Sequence, residues 1–342
     1  MKICASCFSD RELKGFISTS KELGDCVVCE SKNQPLLDIS ELFDFFQALI
    51  KNFKLDIYGA TLNSRLTFQW SFFSSKDTSI KILSYVLPNL KTDIDSPYRS
   101  VEYIDEIIEN YKHWDILKKD LKWKNRYVIN IERLEDLGWD GFFNTQFELK
   151  KETPLFRARL HHKSGLQAYD PKDMYCPPEK EIANGGRANP LGIPFLYLSD
   201  NPETVLYEVR ASYLDELSVG TFKLKPEFES IKLVDFTEET SLYQSDYNRI
   251  TDTIKSKILR VKIGNDLSKP MRRYDSELEY IPTQFICEFI KVYTGVHGIR
   301  FNSSLHPNGK NVVLFDQNLL TCISVKKVKI NSVNLQGMEI KH

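Results

Sequence analysis

Ile39, Leu42, Phe43, Phe46, Leu49, Ile50 and Phe53 recur at the i, i+3, i+4, i+7 spacing, which predicts a helix beginning after Pro35. Asp38 and Glu41 supply the two acidic positions of a capping box at its start. The same period returns from Ser79 to Leu87, where Pro88 follows, and from Val101 to about Arg126, so the region is expected to be mostly helical. Past Thr153-Pro154 the rhythm changes. Leu155-Phe156-Arg157-Ala158-Arg159-Leu160 alternates like a strand, with Arg157 the stronger candidate for a cleft and Arg159 expected to face away from it. Phe195-Leu196-Tyr197-Leu198 and Lys310-Asn311-Val312-Val313-Leu314-Phe315 read as buried strands. Between them, Asp200 or Asn201 is placed to cap a helix with Pro202 in its first turn. Glu208 lies on that helix, with Leu206, Val209 and Tyr213 as expected core neighbours. Ile281 to Tyr293 is helical in pattern before Gly295, Gly298 and Asn302 mark a turn.

These elements predict an α+β chain whose 342 residues suffice for more than one core. Composition narrows the partners. Forty-six basic against 47 acidic residues leave a net charge of −1, so no global field points to nucleic acid or a membrane surface. No run approaches the roughly 20 apolar residues of a membrane span, and the first residues carry no secretion pattern; a cytoplasmic protein is expected.

Four of the seven cysteines form two tight pairs, Cys4/Cys7 and Cys26/Cys29, while Cys176, Cys287 and Cys322 are scattered. Each Cys-x-x-Cys turn can present two sulfurs to one ion, and two turns complete a tetrahedron; the pattern predicts a structural Zn2+ site with no open position for water. Binding energy there would also fold the ribbon around it. Lys112, Lys118, Lys119, Lys122, Lys124 and Arg126 interleave with Trp114 and Trp123, but Asp115 and Asp120 dilute the charge, so a solvated helix face is expected rather than a nucleic-acid site. Arg157 and His162 have a spacing seen in helical ribonucleases, yet they fall in the alternating segment. Ser303 lacks the Gly-x-Ser-x-Gly setting of a hydrolase nucleophile.

Arg157, Gly185-Gly186-Arg187-Ala188-Asn189, Tyr197, Glu208 eleven positions later, and Gly298-Ile299-Arg300-Phe301-Asn302-Ser303-Ser304 stand in an order that resembles the RES domain. That family comprises NAD+-consuming enzymes related in fold to ADP-ribosyltransferases. The match departs at Ala188, where the family usually has tryptophan, and at Phe301-Asn302, where it has tyrosine and proline. The resemblance implies an ADP-ribosyltransferase-like mixed sheet with flanking helices over 151–325, after a zinc ribbon at 1–34 and a mostly helical domain at 35–150, with a tail at 326–342. A ribbon followed by helices is also similar to the HEPN-associated region of some longer RES proteins. As implied site residues, Glu208, Arg157, Arg187, Tyr197 and Ser303 act in catalysis and, with Asn311, bind NAD+. The implied reaction is cleavage of the nicotinamide–ribose bond, with inorganic phosphate the favoured acceptor over water or a protein side chain, in a toxin held by an antitoxin or regulatory partner. A zinc-ribbon nucleic-acid binder carrying an inactive RES-like domain is the competing expectation.

Overall fold

The computed structural model describes residues 1–143, 146–177, 185–270 and 277–334. Residues 178–184, just before Gly185, and part of the expected tail, 335–342, lie outside the described residues. The chain divides into two compact units, Met1–Asp115 with Glu239–Leu259, and Ile116–Glu238 with Arg260–His342.

In the first unit, β1 (Lys2–Cys4), β2 (Leu23–Gly24) and β3 (Gln34–Asp38) form a small antiparallel sheet in the order β1-β3-β2. Behind it lies a core dense in aromatic rings, among them Phe8, Phe45, Phe46, Phe72 and Phe73, with neighbouring centroids such as Phe72 and Phe73 at 4.9 Å. Leu242, Tyr243, Ile250 and Ile254, far along the sequence, belong to the same core. Asp10 ties them in: its carboxylate caps the helix Arg11–Ser18 through Leu13 N at 3.0 Å and accepts from Leu242 N at 2.7 Å and from the Ser241 hydroxyl.

Two of the expected helices are shorter than their apolar period. The stretch from Ile39 starts as a 3-10 turn, continues as helix over Phe43–Ile50, and stops; Phe53 instead begins β4 (Phe53–Thr61). Asp38 does not form the expected box either, since its carboxylate accepts from Ser40 N at 2.9 Å in a tight local turn. Val101 falls in β5 (Ser100–Tyr103), antiparallel to β4, and the helix begins only at Asp105 and runs to Trp123. A three-residue recurrence of buried positions does not separate a helix from a turn joined to a strand when both are packed against one core. The helix Lys76–Val86, capped by Ser75, agrees with its expectation.

The second unit is built on eight strands: β6 (Gln146–Lys150), β7 (Leu155–Leu160), β8 (Leu196–Ser199), β9 (Glu216–Leu224), β10 (Ser230–Asp235), β11 (Gly298–Asn302), β12 (Lys310–Leu314) and β13 (Leu320–Lys329). Their order is β13-β9-β7-β8-β12-β11-β10-β6, antiparallel except between β10 and β11. Alternation divides the residues between two faces. Leu155, Leu196, Leu198, Val312 and Leu314 join one apolar cluster, whereas Ala158, Val205 and Val219 join another. One break matters. β7 and β8 share a single register pair, Phe156 opposite Ser199, after which β7 follows β9 and β8 follows β12, so the sheet parts at its middle. Among the described residues no helix is long and apolar enough to cross a membrane.

Candidate active site

A cavity of about 670 Å³ opens beside this parting, lined by Arg157, Gly186, Arg187, Tyr197, Glu208 and Asn311 among others. It therefore collects residues from β7, the glycine loop, β8, the helix Thr204–Glu208 and β12.

Glu208 ends a five-residue helix and is half-buried. Its Oε1 accepts twice, from Ser303 Oγ at 2.7 Å and from Asn311 Nδ2 at 2.8 Å. Asn311 is itself fixed, because its Oδ1 accepts from Ser199 Oγ at 2.7 Å across the β8–β12 pair. Both donors fall on Oε1, and among the described residues Oε2 receives no hydrogen bond. Ser303 was expected to orient the substrate, but its oxygen is occupied: it donates to Glu208 and accepts from Leu305 N at 3.2 Å and His306 N at 3.1 Å. It positions the carboxylate. Ser304 is exposed and takes no part in these bonds. Neither Asp200 nor Asn201 caps the Glu208 helix: it begins at Thr204 after Glu203 and Pro202 lies before it, and Asn201 Oδ1 only orders the approach, accepting from Glu203 N at 2.7 Å. Leu206 and Val209 pack against the apolar cluster, whereas Tyr213, an expected core neighbour, is 63% exposed.

The two arginines are held by backbone carbonyls. Arg157 Nη1 donates to the Tyr197 carbonyl at 3.3 Å, taking the place of a ladder bond that β7 no longer offers β8 once they part. Its Nε is sealed from solvent and has no hydrogen-bond partner among the described residues, and burial depresses the guanidinium's basicity. Arg187 Nη1 donates to the Leu267 carbonyl at 2.9 Å. Among the described residues neither has a carboxylate within ion-pair distance, unlike Arg300, which pairs with Asp235 at 3.0 Å. Both side chains are partly buried, and a cation left unpaired in such a place costs free energy unless something anionic meets it. Arg159 shares the face of Leu155 and Arg157, as a two-residue period requires, and corrects the expectation that it would face away; its Nη2 is bound to the Tyr175 carbonyl at 2.6 Å.

Tyr197 lines the cavity while its hydroxyl is committed elsewhere, donating to Asn189 Oδ1 at 2.7 Å and accepting from Ala188 N at 2.9 Å. Burial pushes this phenol up, so it stays protonated and able to donate. The glycine loop thus leans on Tyr197 from one side and on the helix Ile281–Thr294 from the other, where Gln284 Nε2 donates to the Gly186 carbonyl at 2.8 Å and Thr283 Oγ1 to that of Arg187 at 2.7 Å. Ala188 is fully buried in this packing. A Cβ on Gly186 would stand 2.6 Å from Asn189 Oδ1 and closer still to the Tyr197 hydroxyl, so only glycine fits. Gly186→Ala is expected to lower stability by about 1–3 kcal/mol through overpacking. Urea unfolding checks this; an unchanged midpoint would show that the loop yields freely.

Sequence reading missed Ser199, His306 and Tyr280 at or beside the cavity. A serine, a histidine and a tyrosine outside any motif give no local signal; the partners that orient them are far away in the chain.

Elsewhere, Trp114 of the basic stretch is fully buried, and Lys118, Lys122 and Lys124 pair with Asp266, Glu279 and Asp120. Trp123 alone of the two tryptophans is exposed. Arg157 sits in a strand, which removes the helical ribonuclease geometry.

In the first unit the sulfurs of Cys4, Cys7, Cys26 and Cys29 lie within 4.8 Å of one another, with Cys4–Cys29 at 3.4 Å and Cys7–Cys26 at 3.5 Å and no disulfide among them. Metal–sulfur bonds of about 2.3 Å in a tetrahedron separate sulfurs by about 3.8 Å, so the four could hold a metal ion. Burial pushes the Cys4 thiol up to about 11 and raises Cys7 as well, which a bound cation would reverse.

A family model for the RES domain matches residues 154–334, more than half of the chain. This chain belongs to the RES domain family. The matched span contains every residue that faces the cavity from the parted sheet, and RES domains are associated with NAD+-using enzymes of toxin type. No curated protein and no solved structure matches the chain.

Proposed function

We propose that this RES domain cleaves the nicotinamide–ribose bond of NAD+, with inorganic phosphate as the favoured acceptor. One observation carries the reading: among the described residues, a carboxylate with one oxygen free of donors and two guanidiniums without a carboxylate partner line the same cavity. Its volume of about 670 Å³ lies within the roughly 300–1,000 Å³ of small-molecule sites.

Breaking the bond moves its electron pair onto the nicotinamide nitrogen and leaves positive charge across the ribose ring, as in glycoside hydrolysis. Glu208 Oε2 meets the ribose hydroxyls and stabilises that charge, while Ser303 and Asn311 keep the carboxylate aimed. Arg157 and Arg187 take the pyrophosphate, and the Tyr197 ring packs against nicotinamide. Phosphate oxygen then bonds to the ribose carbon, giving ADP-ribose-1″-phosphate and neutral nicotinamide. The same reading includes a toxin role in a reducing, cytoplasmic setting, a restraining protein partner, and a structural Zn2+ on the four cysteines.

Incubation with NAD+, with and without phosphate, followed by mass analysis tests it. A product that appears only with phosphate is expected; ADP-ribose alone means hydrolysis, ADP-ribose joined to protein means transfer, and intact NAD+ under all conditions ends the proposal. Arg157 gives a separate check. Arg157 is partly buried and, among the described residues, has no carboxylate beside it, so an apolar side chain of similar length removes a desolvated charge at little or no cost. Arg157→Met is therefore expected to hold or raise the melting temperature while weakening NAD+ binding about 10- to 100-fold, the loss of charge-assisted bonds to phosphate. Equal affinity in the variant would remove Arg157 from the substrate.

A further inference from the structure

We infer that His306 is a positioning residue that holds Glu208 in place, an inference that rests on the proposed role of that carboxylate. The helix carrying Glu208 spans only Thr204–Glu208 and its N-cap makes no side-chain hydrogen bond, so it cannot persist by its own propensity. What fixes it comes from the loop after β11. Ser303 N donates to the Gly309 carbonyl at 2.8 Å and Gly309 N to that of His306 at 3.1 Å, which closes the loop on itself.

From this loop one ring reaches the short helix. His306 Nδ1 is 2.8 Å from Oγ1 of Thr204, a residue wholly shielded from solvent, and its imidazole stacks on Tyr207 with centroids 4.9 Å apart and planes 11° from parallel. The same residue's backbone N–H donates to Ser303 Oγ, whose own proton goes to Glu208 Oε1. His306 thus grips the helix at its first residue and feeds the bond to its last. Gly309 makes this approach possible, because a Cβ there would crowd Thr204 Oγ1 and stand 2.9 Å from His306 Nδ1. Nothing in the arrangement brings the ring to the cavity: Leu305 lines it and His306 does not. The histidine acts through Glu208.

Misplacing a reacting group by about 1 Å costs on the order of 100-fold in rate. His306→Ala is expected to lower kcat for NAD+ cleavage about 10- to 100-fold while KM changes less than about threefold. His306→Asn keeps a polar atom where Nδ1 stands and is expected to recover most of the rate; His306→Gln, which extends toward Nε2 instead, is not. In a Glu208→Ala background the alanine at 306 is expected to change nothing further, since its only path to the chemistry is gone.

Several results overturn the inference. They are His306→Ala with wild-type kcat, loss confined to KM, no recovery by asparagine over glutamine, or an equal further loss in the Glu208→Ala background. An alanine variant that fails to fold leaves the asparagine–glutamine comparison to decide. If the wild-type chain leaves NAD+ intact, the proposed function fails by itself; crystal structures of wild type and His306→Asn and His306→Gln then decide the positioning claim, which falls if the Glu208 carboxylate keeps both bonds in the glutamine variant.

Discussion

Glu208→Ala is expected to abolish NAD+ cleavage, lowering kcat by roughly 100- to 10,000-fold, the range for preorganised electrostatic and proton-handling groups. The stability should barely move. Glu208 is half-buried, its two donors are a hydroxyl and an amide, and both retain other partners: Ser303 Oγ keeps the Leu305 and His306 amides, and Asn311 keeps Ser199. Glu208→Gln separates charge from shape. It preserves the acceptor for Ser303 and Asn311 but removes the negative charge that the ribose cation needs, so it is expected to be nearly as inactive as alanine. Single-turnover cleavage of NAD+ by wild type, alanine and glutamine variants, with thermal melts alongside, measures both. Glutamine at wild-type rate would mean that hydrogen bonding, not charge, does the work; alanine at wild-type rate would remove Glu208 from the chemistry.

Three of the eight strands of the second unit are readable because their burial pattern is local, whereas Gly298–Asn302, whose glycine and asparagine suggest a turn, is β11, held between β10 and β12. Leu155–Leu160 alternates, and Leu196–Ser199 and Lys310–Leu314 are short apolar runs, so each announces itself within a few residues. Order and spacing of the chemistry-bearing residues then pointed to one family, and the structure brings Arg157, Arg187, Tyr197, Glu208 and Asn311 to one cavity, with Ser303 behind the carboxylate. What stayed hidden is relational. That Ser303 serves Glu208, or that Arg157 fills a missing ladder bond, depends on β7 and β8 sharing one register pair, which no spacing encodes. In the first unit the failure was different. Phe53 continues a helical period yet begins a strand, because the core asks only that the position be buried. The passage of Leu242, Tyr243, Ile250 and Ile254 into that unit's core was equally illegible, since apolar residues carry no mark of which core they will join.

Metal removal is expected to have the largest effect on structure. Cys4 ends β1, Cys7 closes the 3-10 turn that follows, and Cys26 and Cys29 lie in the loop between β2 and β3, so a single ion would fasten every element of a three-stranded sheet too small to stand on its own. Structural zinc sites bind with about 10–16 kcal/mol of apparent free energy, and much of that is folding energy. A strong chelator, or Cys26→Ser, is expected to unfold the ribbon. The loss should also spread in a defined direction. Asp10 is carried by the turn just after Cys7 and caps the helix Arg11–Ser18 while accepting from Leu242 N and Tyr243 N at 2.7 and 3.3 Å. Those two amides should therefore lose hydrogen-exchange protection together with residues of β1 and β3, although they lie more than 200 positions away in the chain. Exchange measured by mass spectrometry before and after chelation, with metal content determined on the same samples, makes the comparison. Zinc near one equivalent with coordinated loss at both segments is the expected result. A metal-free chain with full protection at Leu242 and Tyr243 would show that the four thiols pack without an ion and that the aromatic core alone holds the first unit.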